Sequence, residues 1–150
     1  MTATHPLHPS RMGLSATLSL DAAPARVSWC RSAAGAVLDA WGVETHARET
    51  AVLILSELLS NAVQHGAAPI TVRLTLDRWE GALVGTVEDA GAGWPTPADR
   101  DPAEMIEGGR GLLLVGMLAT RWGVTKTAGG VGKAVWWCQA VPYLGLEVLR

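Results

Sequence analysis

Residues 70–76, Ile-Thr-Val-Arg-Leu-Thr-Leu, alternate apolar and polar side chains without a fault. A period of two is the period of a β-strand, so Ile70, Val72, Leu74 and Leu76 point to one side of a sheet and Thr71, Arg73 and Thr75 to the other. The turn-forming run Asp77-Arg78-Trp79-Glu80-Gly81 follows, and residues 82–88 return as a second strand, a hairpin that delivers Asp89 to its end. One face of this sheet is apolar and must be covered, which obliges other parts of the chain to supply the cover.

Two helical patterns can do so. Residues 23–41 place Val27, Cys30, Ala34, Val37, Leu38 and Trp41 at spacings of three, four and seven, with Arg26, Arg31, Ser32 and Asp39 elsewhere on the wheel. Asp21 introduces that helix and Gly42 closes it from the position after the C-cap. A second helix is expected from Thr45, as N-cap, to His65, with Gly66 as its stop. Strands at 14–20, 121–127 and 133–140, a glycine turn at 128–132 and a third helix from Leu112 to about Thr120 complete an α/β pattern. Residues 1–12 read as a loose tail and 13–150 as a single domain, with no internal repeat.

Composition narrows the class. At 49% hydrophobic and 17% charged, the chain is too apolar to be disordered. A net charge of −2, with its basic residues scattered, argues against nucleic acid as the partner. No apolar run approaches the ~18 residues of a membrane helix and the first twelve residues lack a signal-type apolar core, so no membrane partner and a cytoplasmic location are expected. Cys30 and Cys138 lie in apolar patterns and read as buried free thiols. No His, Cys and acid cluster has zinc spacing, His5 and His8 included.

Polar groups that interrupt this apolar design are the candidates for chemistry. Glu57 and Asn61 stand one turn apart on the second helix, with Gln64 and His65 on the next turn. They are either a hydrogen-bonded pair within the core or a working pair, Asn61 offering an amide oxygen to Mg²⁺ and Glu57 taking a proton or positioning a water. Asp89, followed by Gly91 and Gly93, either caps a turn or accepts from an exocyclic amine while the glycines admit a flat ring. Gly108-Gly109-Arg110-Gly111 precedes the third helix and is either a turn or a phosphate cradle at a helix N-terminus, with Arg110 adding charge. Between them lie about twenty residues, 90–109, with Pro95, Pro97 and Pro102, the length and composition of a functional lid.

The order of these pieces resembles the asparagine box and three glycine boxes of the GHKL ATP-binding superfamily: Glu57-x-x-x-Asn61-Ala62-x-x-His65-Gly66, Asp89-x-Gly91-x-Gly93, Gly109-x-Gly111-Leu112 and Gly130-x-Gly132-Lys133. Within it the chain is similar to the small single-domain bacterial anti-sigma-factor serine kinases of the RsbW and SpoIIAB type, over about residues 14–140. The resemblance implies a two-layer α/β sandwich, the Bergerat fold, with helices on one face of a mixed, mostly antiparallel sheet. It implies ATP and Mg²⁺ as cofactors, with Asn61 as the metal ligand, Glu57 as catalytic base and Asp89 reading the adenine amine. Gly91 and Gly93 line the base pocket, residues 94–110 form the ATP lid, and Gly109, Arg110, Gly111 and Leu112 serve the phosphates. Ala134 stands where relatives commonly carry Thr, removing a hydroxyl near the adenine.

Two functions follow from the resemblance. One is a serine kinase that phosphorylates a STAS-type antagonist of an anti-sigma factor; the other is a non-catalytic ATP-binding regulator that sequesters a sigma factor or another partner. A second copy of the chain is a further candidate partner. The catalytic domain of a sensor histidine kinase is disfavoured, since neither His46 nor His65 stands in a separate helical module.

Overall fold

The computed structural model describes residues 13–91, 110–127 and 131–142. In chain order these form β1 (Gly13–Leu20), α1 (Pro24–Ala40), α2 (Thr45–His65), β2 (Ile70–Asp77), β3 (Ala82–Asp89), α3 (Arg110–Leu118), β4 (Arg121–Lys126) and β5 (Lys133–Ala140). The five strands make one sheet in the order β1-β2-β3-β5-β4. All four pairings are antiparallel, so the expected mixed sheet is antiparallel throughout its described strands. The two hairpins, β2–β3 and β4–β5, dock with β5 on β3, which leaves no pair in need of a parallel crossover.

Local chemistry sets the helix limits. Pro24 occupies the first turn of α1, where its missing N–H costs nothing, and Gly42 takes φ +76° after the last turn, as its position in the sequence suggests. The N-cap of α2 is Glu44 rather than Thr45. The Glu44 carboxylate accepts from the Ala47 N–H at 2.9 Å and the His46 N–H at 3.0 Å, satisfying two donors that a threonine hydroxyl serves less completely. Those bonds, the Ala47 N–H foremost, hold the carboxyl below its ordinary range. α3 begins at Arg110, two residues before Leu112, which puts Arg110 and Gly111 inside its first turn rather than ahead of it.

The alternation of β2 is realised as read. Ile70, Val72, Leu74 and Leu76 are all buried against the helices, and the register places Leu83, Gly85 and Val87 of β3 beside them and Val135 and Trp137 of β5 beyond. Trp137 is fully buried and lies across Gly85, where a Cβ would run into the indole ring. Its indole N–H donates to Gln139 Oε1 at 3.1 Å, and Gln139 Nε2 donates to the Ala47 carbonyl of α2 at 2.9 Å. Cys30 and Cys138 are buried free thiols, and burial pushes Cys30 up to about 11. The opposite face carries Thr71, Arg73, Thr75 and Glu88, together with a small apolar cluster of Val84, Trp136 and Cys138. Among the described residues no helix is long and apolar enough to cross a membrane.

Candidate functional site

The helix-facing row of the sheet ends in charge. β3 closes with Asp89, directly opposite Lys133, the first residue of β5. Both side chains are buried, with Asp89 Oδ1 3.2 Å from Lys133 Nζ. The same Oδ1 accepts from the Gly91 N–H at 2.8 Å and, more distantly, from the Ala67 N–H at 3.4 Å. The Ala90 N–H in turn donates to the Ala67 carbonyl at 2.8 Å, fastening the chain after β3 to the chain after α2. Backbone crowds the carboxylate: Cβ atoms added at Gly66 or Gly91 would collide with the Asp89 side chain, and one at Gly132 with its carbonyl oxygen. Three glycines therefore let the ends of α2, β3 and β5 converge on one acid.

Asn61 lies on α2 just over one turn before that junction. It is only 7% exposed, and its Nδ2 has no hydrogen-bond partner among the described residues. A buried amide left this way carries a desolvation cost of about 1–3 kcal/mol, which an outside ligand can relieve. Among the described residues no three His, Cys, Asp or Glu side chains gather to hold a metal ion. A single amide oxygen does not cage a cation, but Mg²⁺ keeps waters and takes few protein ligands when phosphates supply the others. The donor set fits a cation that arrives with a polyphosphate, for which Asn61 would offer its amide oxygen.

Glu57 is half-buried and lines a cleft of about 530 Å³ between α1 and α2, with Arg31, Gly35, Ser56 and Ser60 among its neighbours. The described lining of this cleft includes neither Asn61 nor Asp89. The structure thus gathers Asp89, Gly91 and the end of α2 at one junction, while Glu57 stands more than two turns before that end, on the cleft between α1 and α2. Leu112 is buried on α3, which packs against α2. Gly93, Gly109, the lid at 94–109, the Arg110 side chain, the turn glycines at 129–130 and the terminal segments 1–12 and 143–150 lie outside the described residues. His65 is exposed on the last turn of α2.

Two features escape a linear reading. Ala134 faces away from Asp89, in register with Glu88 and Thr125, because strand alternation turns it to the other side of the sheet. The β5 residue that meets Asp89 is Lys133. The signal was present: Lys133, Val135 and Trp137 share one parity, so a lysine heads a row that is otherwise core.

Residues 20–138 match the family model for the histidine kinase-like ATPase domain. No curated protein sequence matches the chain significantly. Among solved structures, the RsbU and RsbW domains of Rv1364c from Mycobacterium tuberculosis match with a TM-score of 0.64 at 20% identity. That match covers 85% of this chain and 32% of the other, so this chain spans about a third of its length, and at such identity the likeness concerns the fold.

Proposed function

The chain belongs to the histidine kinase-like ATPase domain family, and from that premise we propose that it binds MgATP and phosphorylates, on serine, a STAS-type antagonist of an anti-sigma factor, sequestering a sigma factor in its other regulatory state. The observation that carries the reading is Asn61, a buried amide with an Nδ2 unpartnered among the described residues, on the helix whose end, at Gly66, abuts the carboxylate fixed by backbone at the end of β3.

Each residue then has a task. Asp89 accepts from the 6-amino group of adenine, and Gly91 and Gly93 form backbone walls of the base pocket. Gly109, Arg110, Gly111 and Leu112 meet the phosphates at the start of α3, where first-turn N–H groups lack intrahelical partners and the helix dipole favours negative charge. Asn61 would hold Mg²⁺ by its oxygen, and the ion would supply charge neutralisation at the phosphates. Glu57 takes the proton of the serine hydroxyl as the new O–P bond forms and the bond to the ADP oxygen breaks. The α1–α2 cleft leaves Glu57 open to that hydroxyl.

Calorimetric titration with MgATP and MgADP tests the base of the proposal, with saturable binding and nucleotide-dependent stabilisation expected. Neither heat nor stabilisation would overturn it. With γ-labelled ATP and the antagonist, phosphoserine forms; Glu57→Ala slows its formation by roughly 100-fold or more while nucleotide affinity stays within about twofold. Tight nucleotide binding without phosphoserine would leave the sequestering regulator in place of the kinase.

A further inference from the structure

A lysine at a core position is costly, and the way its charge is met shows what the position does. Lys133 is 4% exposed and Asp89 5%. An isolated ammonium in such surroundings would give up its proton or drag in water, whereas one beside a carboxylate forms a pair with no net charge. Register places the two residues face to face across β3 and β5, on the helix side of the sheet, so their proximity follows from the backbone. The carboxylate is fixed independently by the Gly91 and Ala67 N–H groups, and the three described contacts all fall on Oδ1. An acceptor and a donor of opposite charge thus stand side by side, immobilised, at the place the proposed function gives to the base.

Adenine offers the complement of this pair. Its 6-amino group is a donor and the adjacent ring nitrogen N1 an acceptor, so a carboxylate and an ammonium next to each other match that edge in parallel. We propose that Lys133 is a base-reading residue that donates to N1 while Asp89 accepts from the 6-amino group. An ammonium has three N–H donors, enough to serve a carboxylate and a ring nitrogen together. Because the pair is neutral, the uncharged base enters without facing a lone buried carboxylate. Lys133 thereby sets base specificity with its own side chain, on the helix side of the sheet, away from which Ala134 is turned. This inference rests on the ATP reading above.

The test compares ATP with 1-deaza-ATP, in which C–H replaces ring N1, and with 3-deaza-ATP as control, by titration calorimetry on the wild-type protein. Binding of 1-deaza-ATP is expected to be weaker than that of ATP by roughly 10-fold or more, and 3-deaza-ATP within about threefold of ATP. In Lys133→Met, after thermal unfolding has shown a folded protein, the gap between ATP and 1-deaza-ATP closes to about twofold, while Lys133→Gln, which keeps an N–H donor, retains most of it. Equal binding of ATP and 1-deaza-ATP by the wild type overturns the proposal without recourse to any variant, as does a gap that survives unchanged in Lys133→Met. Absence of ATP binding by the wild type instead removes the ATP reading itself, an outcome distinct from both.

Discussion

Two buried polar clusters lie between α2 and the sheet, one near each end of the helix, and they are finished to different degrees. Near its start, Gln139 links the Trp137 indole N–H to the Ala47 carbonyl, an acceptor for one donor and a donor for one acceptor. Near its end, Asp89 is held by backbone N–H groups and Lys133, while Asn61 beside the junction leaves its Nδ2 unpartnered. The first cluster fastens helix to sheet through bonds made wholly within the chain. The second is rigid around its acid and incomplete around its amide, the pattern of a site that a ligand completes. Burial is common to both; completion separates structure from function.

Substitutions should push the clusters in opposite directions. The largest effect is expected at Gly85→Ala, whose methyl would be driven into the Trp137 ring and displace the indole from Gln139. A loss of about 3 kcal/mol in urea unfolding is expected, at the upper end of overpacking costs; a loss below about 1 kcal/mol would show that the ring can shift and that the cluster is looser than its packing implies.

Next comes the direct contrast between the two amides. Gln139→Leu leaves the Trp137 N–H without a partner and takes from the Ala47 carbonyl the bond it accepts besides its helical one, and should cost about 2 kcal/mol, with nucleotide affinity unchanged. Asn61→Ala removes an amide that the fold does not satisfy; stability should move by no more than about 1 kcal/mol while MgATP binding weakens by roughly 10-fold or more. Chemical denaturation and calorimetry on the same two proteins would reverse the assignment if Asn61→Ala were the less stable and Gln139→Leu the weaker binder.

The smallest effect concerns the first turn of α2. Glu44 is depressed by the Ala47 and His46 N–H groups, so its capping contribution is present above the unfolded carboxylate value of 4.5 and fades as pH falls through the lower folded value. Glu44→Ala should lower the melting temperature slightly near neutral pH, and the difference from wild type should shrink below that value. A difference constant with pH would mean that the carboxylate does not act in its charged form.

Periodicity alone determined much of this protein. The alternation of residues 70–76, the spacing of Val27, Cys30, Ala34 and Leu38, and the stops at Gly42 and Gly66 are local properties of the chain, and they fixed the elements and the buried face of the sheet. The polar intruders Glu57, Asn61 and Asp89 were equally legible, because each breaks a local pattern. Tertiary structure decided what those intruders meet. Whether Ala134 or Lys133 adjoins Asp89 depends on the register of β3 against β5, a pairing 44 residues apart that no window on the sequence contains. The close approach that demands glycine at 66, 85, 91 and 132 likewise depends on which backbone arrives from elsewhere. So does the difference between Gln139 and Asn61: each is an amide in an apolar setting, and only the fold brings a carbonyl and an indole to one and leaves the Nδ2 of the other without a partner among the described residues.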